Sequence, residues 1–163
     1  NGFSVLVDNT LAIYLLEALS FDTVNIQGNN ATTDFDLAVL FDSAGDDSIT
    51  GTSGNVSLGS LNYSVNIAAF DFFYAIASSG GTNTVILNDT VGQDIVRADS
   101  TPDAGAGNLD QLDFFSNGVV MQFFNWSSWT FNDSGTDANT DLFDDDGYDL
   151  ALTLNGRWTP AEI

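Results

Sequence analysis

The chain of 163 residues contains neither cysteine nor histidine. Without cysteine it cannot form a disulfide or a thiolate metal site. Without histidine it lacks Ser–His–Asp catalysis, Cys–His catalysis and zinc–histidine sites. Lysine is absent too, which leaves only Arg97 and Arg157 for lyase-type chemistry on a sugar. We predict that the protein is not an enzyme and name no catalytic residue. A β-helix polysaccharide-degrading enzyme that uses two carboxylates ranks third among our interpretations.

Positive charge is almost missing, because 23 acidic residues face two arginines and give a formal net charge of −21 at pH 7. Polyanions would be repelled, so we expect no nucleic-acid partner and no anionic membrane partner. The 44% hydrophobic content and the 13 phenylalanines nevertheless predict a folded chain. Its self-repulsion must be offset either by high salt, as in a halophile, or by bound divalent cations.

Long apolar runs are absent, since Leu11–Leu19 is too short to cross a bilayer and contains Glu17. The chain begins at Asn1, so we expect a processed or excerpted segment. Asn, Asp, Gly, Ser and Thr are abundant, whereas Glu and Lys are nearly absent. This composition indicates a secreted protein, extracellular or on a bacterial cell surface.

What the chain does contain is an eight-residue pattern, Leu-x-Asp-x-x-Gly-x-Asp, at residues 40–47, 87–94 and 142–149. Asp42 to Asp89 is 47 residues and Asp89 to Asp144 is 55, so the unit is roughly 50 residues long with one insertion. Aromatic-led apolar segments recur between the copies, beginning at Phe21, Phe70 and Trp126. Repeats of this period are typical of stacked arrays.

Most segments alternate apolar and polar residues, which predicts half-buried strands and an all-β fold. Leu11–Leu19 has a helix-like composition, but its alignment with the segment around Tyr63 predicts a strand. We favour a parallel β-solenoid built from about three repeats; the alternative is a tandem of small antiparallel β-sandwich units. We treat residues 1–163 as one repeat-built domain, divided into a partial repeat 1–33, repeats 34–81 and 82–137, and a partial repeat 138–163.

The repeated pattern carries chemistry suited to a hard cation. Its glycines Gly45, Gly92 and Gly147 permit the positive φ of a tight turn. Its aspartates supply the carboxylate oxygens that calcium prefers. We therefore predict calcium at the turns and expect successive turns to stack in register around shared ions. The candidate ligands, strongest group first, are Asp144, Asp145, Asp146 and Asp149, then Asp42, Asp46 and Asp47, then Asp89 and Asp94.

The segments Gly45-x-Asp47-x-Ile49 and Gly92-x-Asp94-x-Val96 resemble half of the Gly-Gly-x-Gly-x-Asp-x-apolar-x repeat of RTX calcium-binding proteins. The nine-residue tandem of that family is absent. The Phe21-Asp22-Thr23-Val24 segment followed by residues 40–47 is similar to Asp/Gly-rich repeats of large bacterial surface β-solenoid proteins. That resemblance implies a structural or adhesive role.

Carbohydrate binding is the alternative function. The side chains of Trp126, Trp129 and Trp158 are candidates for stacking against sugar rings. The competing interpretation places these tryptophans in the core. We otherwise expect an extracellular structural or adhesive protein with calcium-stabilised turns, which self-associates head-to-tail into a filament or forms part of a longer surface fibre.

Overall fold

Alternation of apolar and polar residues produces strands almost everywhere, as the sequence predicts. In β7, for example, Tyr63, Val65 and Ile67 are buried while the intervening residues are partly exposed. The computed structural model describes residues 2–9, 12–19, 22–28, 35–99, 111–133, 135, 141–144 and 151–161, with only the backbone described in 2–9 and 12–19 and at 99. In this part the protein contains strands and turns, and no helix that could span a membrane.

Sixteen strands are present in the described residues. They are β1 (Gly2–Asn9), β2 (Ala12–Leu19), β3 (Thr23–Gln27), β4 (Asp36–Phe41), β5 (Ser48–Thr52), β6 (Asn55–Ser60), β7 (Tyr63–Ala68), β8 (Phe72–Ile76), β9 (Thr84–Asn88), β10 (Ile95–Asp99), β11 (Gln111–Ser116), β12 (Val119–Phe124), β13 (Ser128–Asn132), β14 (Asp141–Asp144), β15 (Leu152–Asn155) and β16 (Trp158–Pro160). The predicted strand at Leu11–Leu19 is confirmed by β2.

The strands form two mixed, open sheets. Sheet A has nine strands in the order β16-β14-β10-β11-β12-β8-β4-β1-β2, and sheet B has seven in the order β15-β13-β9-β5-β6-β7-β3. Between the described strands, eight pairings are parallel and six are antiparallel. The all-β prediction is confirmed. Because both sheets continue from one unit to the next, the units are not separate small antiparallel sandwiches.

One hydrophobic core lies between the sheets. Sheet A contributes Phe73, Phe114 and Phe123, and sheet B contributes Trp129 and Phe131, all at most 2% exposed. The Phe114 and Phe131 rings approach to 5.2 Å between centroids, so the two sheets interlock through their inward residues.

Consecutive units exchange sheets. From β4 to β8 the chain places one strand in sheet A, three in sheet B and one in sheet A; from β9 to β13 it follows the same course with the sheets exchanged. Residues 42–47, here called loop one, therefore lead from sheet A to sheet B. Residues 89–94, loop two, lead from sheet B to sheet A. Loop one precedes β5 and loop two follows β9. Because β5 and β9 run parallel, the two loops lie at opposite edges of the molecule.

This topology corrects the expectation that the three turns stack in register. Asp144 ends β14 at the same edge as loop one, but five strand steps separate β14 from β4. At the usual strand spacing that distance is roughly 24 Å. Asp144 therefore cannot share an ion with loop one, and loop two lies at the opposite edge from both.

Candidate metal centre

Loop one is held together by hydrogen bonds from protein donors. The Asp42 carboxylate accepts the backbone amides of Ser78 (2.7 Å) and Ser79 (2.9 Å), and it also accepts the side-chain amide of Asn83 (3.1 Å). Asp42 is only 7% exposed. Each of its oxygens accepts at least one hydrogen bond, which stabilises the charged form without a metal.

Asp47 is satisfied in the same way. Its oxygens accept the Ser43 amide (2.9 Å) and the Tyr63 hydroxyl (3.1 Å). The pKa of Tyr63 is raised to about 12, chiefly by burial and also by the Asp47 charge, against the opposing effect of the hydrogen bond with Ser43. The phenol therefore stays protonated and remains a donor. Asp46 is exposed and accepts the Thr82 amide at 2.7 Å.

The three acids of loop one are thus directed to different donors. Asp42 and Asp46 do line an open depression of about 730 Å³ beside the β6–β7 hairpin. Yet only one group of three acidic side chains with closely approaching oxygens occurs in the described residues, and it does not include them.

Residues that precede strands form a recurring ladder between neighbouring loops. The Asp47 amide donates to the Asn83 side chain (2.9 Å), and the Asn83 amide donates to the Ser127 hydroxyl (3.0 Å). The Asp36 amide donates to the Asp71 carboxylate at 3.0 Å. The accepting residues Asn83, Ser127 and Asp71 each stand just before a strand. Each side chain accepts the backbone amide of the residue at the matching position on the parallel neighbouring strand. Asp36 and Asp71 play this structural role at the other edge of the molecule.

Loop two repeats this frame closely. The Thr90 amide donates to Asp94 (3.1 Å) as Ser43 does to Asp47, and the Asp94 amide donates to Asp141 (3.0 Å) as Asp47 does to Asn83. The Thr90 hydroxyl lies 2.9 Å from the Ser116 hydroxyl, matching the Ser43–Ser60 contact. The two loops are therefore equivalent in backbone hydrogen bonding, although they occupy opposite edges.

At two positions of this frame, a residue that donates in loop one is replaced in loop two by a residue whose side chain lacks that donor. Asn83 is replaced by Asp141, which has no amide hydrogens to donate to Asp89. Tyr63 pairs with Ser60 across its hairpin; the residue that pairs with Ser116 is Val119, which has no hydroxyl. Both replacements remove a proton donor from a buried carboxylate cluster.

Three carboxylate oxygens at loop two show the effect of these replacements. Asp89 Oδ2, Asp94 Oδ1 and Asp141 Oδ2 are buried and accept no hydrogen bond, although other atoms of these side chains do have partners. Burial raises the pKa of Asp94 to about 6, with further contributions from the charges of Asp141 and Asp89; hydrogen bonds from Ser116 and Thr90 oppose this rise. Loop two therefore brings the Asp89, Asp94 and Asp141 carboxylates close together in a buried place.

Asp89, Asp133 and Asp141 form the one acidic group with metal-like spacing in the described residues. Each offers one carboxylate oxygen, and these oxygens lie within 4.8 Å of one another. Two ligands of one calcium ion, each at 2.3–2.6 Å, lie at most about 5 Å apart, so the spacing fits this ion. Three carboxylates supply part of the six to eight oxygens that calcium takes. Asp94 adds a fourth negative charge behind the group.

Within this group, Asp133 is the member that pairs with an arginine. Its carboxylate accepts the Gly135 amide, the Arg157 amide (2.7 Å) and the Arg157 Nε (3.2 Å). Its partial burial acts to raise its pKa, but these hydrogen bonds and the guanidinium charge outweigh that effect and hold the pKa below its usual value. Asp133 is therefore ionised and held in a fixed orientation.

Of the third copy of the pattern, only Asp144 among the predicted ligands lies within the described residues; Asp145, Asp146, Gly147 and Asp149 lie outside them. Asp144 is 7% exposed and sits beside Arg97 in the β10–β14 register. Arg97 also stands opposite Asp113 in β11. Asp144 therefore has an arginine as its strand neighbour.

The turn glycines differ between the loops. Gly92 has a φ of 138°, as the sequence predicts, and a Cβ there would meet the Asn117 side chain at 2.9 Å. The predicted positive φ at Gly45 is wrong, because Gly45 is not among the positive-φ residues and a Cβ there would meet nothing within 4 Å. Instead the neighbouring Gly80 and Gly81 have positive φ at this edge, and a Cβ on Gly81 would clash with the Gly45 carbonyl.

The tryptophans belong to the core. Trp126 and Trp129 are each 2% exposed, and the Trp126 indole donates to the Ala75 carbonyl at 3.1 Å. Neither ring offers a face to a sugar, which corrects the proposed stacking role of these two residues. Trp158 is partly buried, packs edge-on against Phe131 and donates to the Asn155 carbonyl.

Sequence reasoning missed Asp133 and Asp141, which lie outside the repeated pattern. The one available signal was position, because Asn83 and Asp141 each open an apolar strand that follows a turn-rich segment. Recognising the equivalence needs the strand pairing. Comparisons with protein-family models, curated proteins and solved structures found no match to this chain. The functional argument therefore rests on the geometry of the site.

Proposed function

We propose that this chain is an extracellular structural or adhesive repeat module whose loop two binds calcium. The observation that carries the proposal is the replacement of Asn83 by Asp141. In loop one the Asn83 side-chain amide donates to the Asp42 carboxylate. In loop two the carboxylates of Asp89 and Asp141 lie close together, with Asp133 and Asp94 beside them. A divalent cation would supply positive charge to these closely spaced carboxylates.

The proposed role of calcium is to hold two connections together. Asp89 follows β9, whereas Asp133 and Asp141 flank the connection from β13 to β14. An ion shared by these side chains would tie neighbouring units of the array to each other. Because the open chain has no such arrangement, binding would stabilise the fold.

The proposed architecture is a β-solenoid type of array, in which the sheet-exchanging units stack by parallel pairing. Support comes from the eight parallel pairings and from the exchange of sheets between consecutive units. Both sheets end in open edges, at β2 and β16 in sheet A and at β3 and β15 in sheet B. Head-to-tail addition of further units or further copies at these edges would extend both sheets.

The first experiment is a thermal melt of the protein, depleted of metal on a chelating resin, with and without calcium at pH 7. At calcium one hundred times the dissociation constant, we expect about 2.7 kcal/mol of stabilisation and a melting temperature higher by roughly 5–10 °C. Sodium chloride of equal ionic strength should not reproduce the shift; if it does, charge screening rather than a site explains the acidity.

The matched variants are Asp141→Asn and Asp71→Asn. Both residues accept the amide of a strand-start aspartate, and an asparagine can still accept it. Asp141→Asn should abolish the calcium response, whereas Asp71→Asn should retain it. Equal calcium responses in the two variants would remove the site from loop two. Light scattering with and without calcium tests head-to-tail assembly separately.

A further inference from the structure

The outer face of sheet B carries no charge. Twenty residues on its seven strands alternate with the buried core positions and so point away from the core. They are Thr23, Asn25, Gln27, Ser48, Thr50, Thr52, Asn55, Ser57, Gly59, Ser64, Asn66, Ala68, Thr84, Ile86, Asn88, Ser128, Thr130, Asn132, Thr153 and Asn155. In a chain with 25 charged residues, this face is instead built from hydroxyls and amides.

Part of this face is concave. Over β5, β6, β7 and β3 a hollow of about 510 Å³ is lined by polar side chains of the set above. These are Asn25, Gln27, Thr50, Asn55, Ser57 and Asn66. The hollow is also bordered by Gly51, Ala68 and three residues that belong to or pack against the core, Ile26, Val56 and Ile67. Concave surfaces with several convergent polar groups are where ligands bind.

Hydrogen bonds join polar side chains of neighbouring strands, one pair inside the hollow and one beside it. The Asn66 side chain donates to Asn25 Oδ1 at 2.8 Å, and the Ser64 hydroxyl donates to Thr23 at 3.2 Å. A second run of such contacts crosses β9, β13 and β15 outside the hollow, where Asn155 donates to Asn132 at 2.8 Å. Ordered amides of this kind present donors and acceptors at fixed positions and lose little conformational entropy on binding.

We propose that the hollow on sheet B binds a neutral polysaccharide chain. Hydroxyl and amide groups both donate and accept hydrogen bonds, and so do sugar hydroxyls. A polyanion is excluded by the overall charge of −21. A protein partner or a lipid would need the apolar and aromatic residues typical of interface cores, and the only exposed large apolar side chain on this face, Ile86, lies outside the hollow. This site is distinct from the tryptophans and does not depend on calcium.

The test is affinity electrophoresis of the intact, calcium-loaded protein in gels that contain soluble neutral glucan, mannan or galactan, with alginate as the acidic comparison. We expect retardation by at least one neutral polymer and none by alginate. Asn66→Ala should weaken that interaction about tenfold, the effect of losing one hydrogen bond to the ligand.

The matched control is Asn155→Ala. Asn66 and Asn155 each donate one 2.8 Å hydrogen bond to an asparagine of the neighbouring strand, but only Asn66 lines the hollow. The control should bind as the wild type does. The proposal is overturned if no neutral polymer retards the protein, if alginate alone does, or if the two variants weaken binding equally.

Discussion

In loop one, the buried Asp42 and Asp47 are surrounded by donors from Ser43, Tyr63, Ser78, Ser79 and Asn83. In loop two, the same backbone frame surrounds Asp89 and Asp94, but the donors at two positions are replaced by a third carboxylate and a valine. The same sequence pattern therefore supports hydrogen bonding within the protein at loop one and, in our proposal, a bound cation at loop two. The decisive residues lie outside the pattern.

The largest expected contrast between the loops is their response to pH. The pKa of Asp94 is raised by burial to about 6, from an ordinary value of 3.8. Protonation therefore favours the folded state, so this contribution is present below pH 4 and is lost as pH rises through 6. In the metal-free protein the loss amounts to about 3 kcal/mol at most. Urea unfolding between pH 4 and 7 measures it.

The variants Asp94→Asn and Asp47→Asn provide the comparison for this pH effect. Asp94→Asn should remove that part of the pH dependence, because no titratable group remains at the position. Asp47→Asn, at the matching position in loop one, should keep it. A pH profile that is unchanged by Asp94→Asn would contradict the account.

The next largest effect on stability is expected when Asn83 in loop one is replaced by aspartate, the residue type that stands at the matching position in loop two. Asn83→Asp removes the amide hydrogens that reach Asp42 and the Gly80 carbonyl, and places a second carboxylate beside Asp42. We expect a loss of about 1–3 kcal/mol of unfolding free energy without metal. If a neighbouring carboxylate pair is what creates the need for a cation, calcium should recover part of the loss. Full wild-type stability in the chelated variant would break the comparison.

The turn glycines sharpen the contrast further. Gly92→Ala forces an L residue into the left-handed region and against Asn117, so we expect a cost of about 1–2 kcal/mol. Gly45→Ala should be neutral or stabilising by up to about 1 kcal/mol, because the position is open and its φ is not positive. Denaturant unfolding of both variants, measured side by side, distinguishes these outcomes; similar losses at the two sites would show that the loops are conformationally alike.

The smallest effect on stability is expected from removing the Tyr63 hydroxyl, whose position is taken in loop two by Val119. Tyr63→Phe removes one donor from Asp47 and leaves the Ser43 contacts in place. We expect a loss of about 1 kcal/mol. The complementary measurement is Ser43→Ala, which removes the hydroxyl that also reaches Asp47. If both variants unfold like the wild type, loop one does not depend on its donors.

The all-β fold, the strand at residues 12–19 and the repeating order of strands could be predicted, because alternation and spacing are local properties of the sequence. The exchange of sheets between units could not, since it depends on whether a three-strand meander lies in sheet A or sheet B, and both have the same alternation. The acids in the pattern were visible, but their environments are set by residues 36–52 positions away, such as Asn83 and Asp141. Those environments follow from parallel pairing, which no single segment encodes.

The most direct test of the central claim is a crystal structure of the protein grown with terbium, a calcium substitute with strong anomalous scattering. The account predicts an anomalous peak within bonding distance of the carboxylate oxygens of Asp89 and Asp141, about 2.3–2.6 Å from each. It predicts no such peak between Asp42 and Asn83. A metal found only in loop one, or no ordered metal beside Asp141 in a well-ordered crystal, would contradict it.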